Sequence, residues 1–197
     1  MITVIADLEG LTPYQQSREY TSRMKKEGNE SNREFEDRTW KNRAHTTPDG
    51  IVFIPAGAIK QCLIAGCRYL NEKIPEHGQK RWAGKFEAAV IVKADALTGV
   101  HIDDVVKRSV FGASDGRRNS RTRVWKHFPT ILDWHVKVEF QVLDNIITEK
   151  VFRRQLEAAG AFVGLGTWRP ENGGENGRFV VKKLEWMDCN KKAKKTA

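Results

Sequence analysis

Residues 51–70 read IVFIPAGAIKQCLIAGCRYL, a short apolar run that meets a proline and then a helix. Ile51–Ile54 is a short apolar run, and Pro55 stops it. Pro55 and Gly57 suit a helix entry. Beyond them Ile59, Cys62, Leu63, Cys67 and Leu70 recur every three or four residues, the stripe of a helix with one buried face. Gly66 falls on that face. A glycine there costs the helix about 1 kcal/mol relative to alanine, so it marks the close approach of another backbone.

Working outward, the chain supplies partners for this unit. Residues 2–8 alternate and read as a first strand, closed by Gly10 and Pro13. Residues 14–26 and 33–43 are weakly apolar and charge-dense, and read as surface helices in an insertion spanning 14–50. Residues 86–94 (FEAAVIVKA) are apolar on both faces, the pattern of a central strand. Residues 134–143 (WHVKVEFQVL) place Val136, Val138, Phe140 and Val142 on one face of a third strand. Residues 148–159 are a second helix, with Thr148 as N-cap, Val151, Phe152 and Leu156 as its stripe and Gly160 as its stop. Residues 179–186 (FVVKKLEW) are the last strand. The order strand, helix, strand, strand, helix, strand is that of an α+β, ferredoxin-like (RRM-like) βαββαβ fold: an antiparallel sheet with its helices on one face. One domain, residues 1–187, is expected. It carries the helical insertion at 14–50, an irregular second insertion at 95–133 and a glycine-rich loop at 164–177, and a disordered basic tail follows at 188–197.

The 197 residues hold 34 Lys and Arg against 25 Asp and Glu, net +9, and 40% are apolar. Such a chain buries a real core and is too apolar for wholesale disorder. No run approaches the roughly 18 apolar residues of a membrane span, and the N-terminus lacks the features of a signal peptide. Cys62, Cys67 and Cys189 are odd in number and form no CxxC pair, which argues for a reducing cytoplasm and against a disulfide scaffold. Cys62 and Cys67 are expected in the core. His45, His77, His101, His127 and His135 are scattered, so no metal and no cofactor are expected.

The positive excess is concentrated. Between residues 107 and 126, Lys107, Arg108, Arg117, Arg118, Arg121, Arg123 and Lys126 stand against Asp115 alone, and six lysines from 182 onward stand against Glu185 and Asp188. A field of this kind points to a polyanionic partner. The first segment also holds Trp125. Cations that track phosphates beside a flat ring that stacks on bases are what a single-strand binder needs. Among the other tryptophans, Trp134 and Trp186 are expected in or beside the core, and Trp40, Trp82 and Trp168 in polar surroundings.

Residues 164–181 read GLGTWRPENGGENGRFVV. No Gly-Lys-Ser/Thr follows, and the loop leads from a helix into a strand, so it is neither a P-loop nor a dinucleotide fingerprint. Gly164, Gly166, Gly173, Gly174 and Gly177 allow a backbone to approach a phosphate and turn its N–H groups toward an anion, with Arg169, Arg178 and Trp168 beside them. The same composition suits a long flexible connection.

Gly164-Leu165-Gly166-Thr167-Trp168-Arg169 … Gly174 … Gly177-Arg178-Phe179 resembles the C-terminal glycine loop of the RAMP superfamily. Those are the ferredoxin-like RNA-binding proteins of CRISPR systems, including the subunits that coat the guide RNA. Phe53-Ile54-Pro55-Ala56-Gly57-Ala58-Ile59-Lys60 resembles that family's second signature, a strand ending in Ile-Pro-Gly with small residues opening the first helix and a Lys or Arg nearby. Here Pro-Ala-Gly-Ala stands where the family has Pro-Gly-Ser-Ser, and the chain is short for a backbone subunit. The resemblance covers residues 51–186 and the first strand. It implies a non-enzymatic, sequence-independent binder of single-stranded DNA or RNA that lines up side by side along the strand, in a bacterial or phage-infected cytoplasm, with CRISPR or recombination and replication proteins as further partners. Residues 107–126 would be its finger, and Lys60 would add charge to the first helix's N-terminus. The alternatives are an endoribonuclease using His45 or Asp37, and a protein decoy that inhibits a CRISPR complex.

Overall fold

The structure, a computed structural model, describes residues 1–18, 25–113 and 121–188. Arg23, Arg117, Arg118, Cys189 and the tail lysines lie outside the described residues. The elements run β1 (Ile2–Gly10), β2 (Tyr14–Gln15), α1 (Asn32–Thr39, continued by a 3-10 turn at Trp40–Arg43), β3 (Ile51–Ile54), α2 (Ala56–Leu70), α3 (Trp82–Ala89), β4 (Val90–Val92), β5 (Ala96–His101), β6 (Val106–Ala113), β7 (Arg123–Ile131), β8 (His135–Val142), α4 (Glu149–Ala158, continued by a π turn at Ala159–Val163) and β9 (Phe179–Asp188).

The main sheet has the order β4-β8-β1-β9 and is antiparallel throughout. With β1, α2, β4, β8, α4 and β9 as the six core elements, this is the ferredoxin-like arrangement expected from the sequence. Ile2, Val4, Ala6 and Leu8 of β1 and Val136, Val138, Phe140 and Val142 of β8 point inward and are buried beneath the helices. Gly66 lies against the α4 exit: a Cβ on it would stand 2.8 Å from the Ala159 backbone. This is the close approach that the glycine marks. Thr148 caps α4 by accepting from the Val151 N–H at 3.4 Å, and a capping box between Ser31 and Glu34 opens α1.

Four expectations need correction. Residues 86–89 are helical: Trp82, Phe86 and Ala89 form the buried stripe of α3, and only Val90–Val92 is strand. That strand is an edge of the sheet and not central. The insertion at 95–133, read as irregular, contains β5 and the long hairpin of β6 and β7. Residues 14–18 are not a surface helix, because Tyr14 and Gln15 pair with Ile131 and Thr130 and are buried with Gln16. The Gln16 side chain donates to Phe53 O at 2.7 Å and accepts from the His45 N–H at 2.6 Å, which satisfies its buried amide. Gly160 does not stop the last helix. Its missing side chain leaves room for the Phe179 carbonyl, and the chain turns on to Gly164, at φ +75°.

Candidate nucleic-acid interface

Two surfaces compete for a nucleic acid. The first is the sheet face turned away from the helices. In register, Asp7 stands between Lys137 and Lys183, Ile5 between Glu139 and Glu185, and Glu9 opposite His135. The charges alternate and pair: His135 Nε2 lies 2.6 Å from Asp7, Lys183 2.7 Å from Glu185 and Lys182 3.0 Å from Glu9. Among the described residues no Phe, Tyr or Trp stands on this face, so it lacks the stacking rings by which an RRM sheet holds bases.

The second surface is the end of the sheet from which β6 and β7 project. Their register opposes Phe111 to Trp125, Ser109 to His127 and Lys107 to Pro129. The Phe111 and Trp125 rings lie 5.3 Å apart at 50°, and each is about half exposed (50% and 49%), a high value for such large apolar side chains. Arg123 lies two residues before Trp125 on β7 and Arg121 two residues earlier, and neither makes an ion pair among the described residues. α1 braces the root of this finger. Glu36 and Arg43 form a buried ion pair at 2.6 Å, and Glu36 also accepts from the backbone N–H of His127 at 3.1 Å, on the β7 edge that β2 leaves unpaired. Asp37 bonds Lys107 at 2.7 Å and lies 3.3 Å from His127 Nε2, while Ser109 Oγ meets His127 Nδ1 at 2.8 Å. The Lys107 ammonium holds the Asp37 carboxyl below the usual carboxylate range.

The glycine loop is sewn to the β1–β2 connection. Thr167 N–H donates to Gln15 O at 2.8 Å, Gly177 N–H to Pro13 O at 2.8 Å and Leu165 N–H to Gly177 O at 2.9 Å. Buried Asn176 donates to Gln15 Oε1 at 2.8 Å, and Arg108 of the finger reaches its Oδ1 at 3.5 Å. Side chains at Gly166, Gly174 and Gly177 would collide with the carbonyls of Gln15, Trp168 and Leu165. These glycines therefore permit tight folding of the loop on its own neighbours. The expected turning of successive N–H groups toward an external anion is not what they do, because the N–H groups of Leu165, Thr167, Gly173, Gly174, Asn176 and Gly177 all bond internally. Gly164 likewise packs against Pro170, and Gly173 faces open space. The loop instead presents Trp168, 48% exposed and held at φ +56°, a left-handed conformation that a bulky residue adopts only when its surroundings impose it.

Several predicted contacts turn out to have internal partners. Lys60 donates to the carbonyls of Phe86, at 2.7 Å, of Glu87, at 3.1 Å, and of Val90, so it caps the end of α3. Burial lowers its pKa. The first N–H of α2, on Ala56, donates to the Asp95 carboxylate at 2.8 Å, so that helix end already holds an anion. Arg169 pairs with Glu171 at 2.6 Å, and Arg178 with Glu175 at 3.1 Å and with the Ala161 carbonyl. Trp82 is core, not a surface ring. Cys62 and Cys67 are buried, and burial pushes both thiols up to about 12, so neither is a nucleophile. Trp125 and Trp168 are exposed as expected, and Trp134 is buried. Phe111 escaped the sequence reading, although it lies at the alternation Val106, Arg108, Val110 against Lys107, Ser109, Phe111 that marks a hairpin strand. Between α2 and the glycine loop lies a groove of about 160 Å³, lined by Ala58, Gln61, Ala65 and Arg68 on one side and by Gly166 and Arg169 on the other. Among the described residues no three His, Cys, Asp or Glu side chains form a metal cluster, and no helix is long and apolar enough to cross a membrane.

Known structures share this architecture. The crystal structure of Cmr6 from Pyrococcus furiosus superposes with a TM-score of 0.50 at 15% identity, over 92% of this chain and 99% of that one. A chain of the type III-B Cmr-beta complex bound to cognate target RNA superposes with a TM-score of 0.50 at 13% identity, over 95% of this chain and 61% of that one. The likeness shows a RAMP-like fold, as the two motifs implied. No protein-family model and no curated protein matches the chain.

Proposed function

We propose that the chain binds single-stranded nucleic acid without sequence preference and lines up side by side along the strand. The observation that carries this reading is the half-exposed Phe111–Trp125 pair on a braced hairpin whose strand β7 also carries Arg123, with Arg121 just before it. Rings of this kind stack on any base, and the arginines meet phosphates. The Cmr-beta neighbour was solved with target RNA, which favours RNA over DNA. On this reading the chain holds the strand and does not cut it. Of the two residues put forward for a nuclease, Asp37 already bonds Lys107.

The test is fluorescence anisotropy with labelled single-stranded RNA, single-stranded DNA and duplex DNA of about 30 nucleotides across a salt series, followed by a gel of the same samples. The expected result is cooperative binding to single strands, with log K falling by about 0.7 per phosphate contact for each decade of salt, and intact probes. Cleaved RNA would replace the reading with an endoribonuclease. Absence of binding at low salt would leave a protein target, such as a CRISPR complex, as the partner.

A further inference from the structure

A third positive segment lies outside the finger and the tail. Between residues 73 and 85, Lys73, Lys80, Arg81 and Lys85 stand against Glu76 alone. Asn71 ends α2 in the left-handed conformation, and a bridge joins Lys73 to Arg81 across the reversal that follows. Ile74 N–H donates to Lys80 O at 2.9 Å, and the Arg81 guanidinium donates to Asn71 O at 2.5 Å. This folds the segment against the start of α3 and leaves an open basin of about 320 Å³. It is lined by the exposed Gly84 and Ala88, with Ile74 buried behind them, and by Lys80, Arg81 and Lys85. Lys85 also bonds Asp144 at 2.6 Å, whereas Lys73 and Lys80 are exposed and make no ion pair among the described residues.

Its place in the fold relates the basin to the groove. β8 runs from His135, at the finger end of the sheet, to Val142, and Asp144 follows. The basin is therefore at the end away from the finger. It is nevertheless on the helical side, as the groove is. Arg68 lines the groove and bonds Glu87 of α3 at 3.4 Å, one residue from Ala88 in the basin lining. An apolar lining with cations beside it fits a ligand that is flat and apolar in one part and anionic in the next. A free phosphate has no use for the apolar part of the basin. A nucleobase with its flanking phosphates uses both.

We propose that the basin between Ile74 and α3 is a second contact for the same nucleic-acid strand, taking a base over Gly84 and Ala88 and phosphates on Lys80 and on Lys73, which is bridged to the lining residue Arg81. This rests on the single-strand reading above.

The test compares the full chain with K73A/K80A and with G84L, using labelled single-stranded RNA of about 10 and about 30 nucleotides. Among the described residues neither lysine makes an ion pair. Gly84 lines the basin and a Cβ on it meets nothing within 4 Å, so a leucine starts in open space at the basin's wall. For K73A/K80A the 30-mer is expected to bind about tenfold more weakly, with a salt slope shallower by about 1.4 for two lost contacts, while the 10-mer binds as in the wild type. G84L is expected to weaken the 30-mer with the slope unchanged. Wild-type affinity of both variants for the 30-mer would overturn the proposal, as would equal losses with both lengths. Failure of the wild type to bind either length is a different result and refutes the single-strand reading itself.

Discussion

The open face of the sheet and the finger are both rows of charged side chains on antiparallel strands, yet they are arranged to opposite effect. On the sheet face lysines have anions across or along the strand, as with Lys183 and Glu185 or Lys182 and Glu9. On the finger the acids gather at the root, where Asp37 meets Lys107, and farther out Arg121 and Arg123 precede the exposed Trp125, whose ring meets that of Phe111. A polyanion gains little from a surface whose charges already neutralise one another, because each new contact must break an old one. Ligand affinity follows from uncompensated charge next to apolar area, and the number of lysines is a poor guide to it.

The largest expected effect breaks this comparison directly. F111A/W125A should weaken single-strand binding about tenfold to hundredfold, from about 1–3 kcal/mol of stacking per base, whereas K137A/K183A on the sheet face should stay within about twofold. Equal losses in anisotropy titrations would show that net charge alone is at work. Next comes G177A, which forces a side chain at φ +74° against the Leu165 carbonyl. A cost of about 2–4 kcal/mol should lower the Tm by about 5–15 °C in a calorimetric scan. K60M separates structure from binding. It leaves the carbonyls at the end of α3 without their donor and should destabilise by about 1–3 kcal/mol in urea unfolding, with affinity within about twofold of wild type. A larger loss of affinity with unchanged stability would return Lys60 to the interface. The smallest effect concerns the finger root. Because Lys107 lowers the Asp37 pKa below 3.8, the pair stabilises the fold above that pH and loses its contribution as the pH falls through the lowered value. The Tm difference between wild type and D37N should therefore be present at neutral pH and close in acid below 3.8.

The elements legible in the sequence are those whose period and boundary chemistry agree. α2 carries an uninterrupted stripe between Pro55 and Asn71, α4 has Thr148 at its start, and β8 alternates cleanly. α3 was hidden because its three-residue stripe, Trp82, Phe86 and Ala89, runs straight into the apolar triplet of β4, so helix and strand read as one run. Gln15 and Gln16 look like surface residues. Their burial depends on partners at Asn176, Phe53 and His45 that only the fold brings near. The same cause divides the site. Trp125 and Trp168 could be placed from their polar surroundings, but the engagement of Lys60, Arg169 and Arg178 depends on acceptors that no local pattern announces.

The finger's attachment has a thermodynamic consequence. β7 ends at Ile131 and β8 begins at His135, so the hairpin continues into a central strand through Trp134, which is buried and donates from Nε1 to Thr12 O at 2.9 Å. With its base fixed in this way, the finger root gives up little conformational entropy when a ligand arrives. On the proposed reading the ordering then falls on the nucleic acid. A stacked purine tract and a limp pyrimidine run would present the same phosphates to the protein and still bind unequally, because what differs between them is the work of straightening the strand.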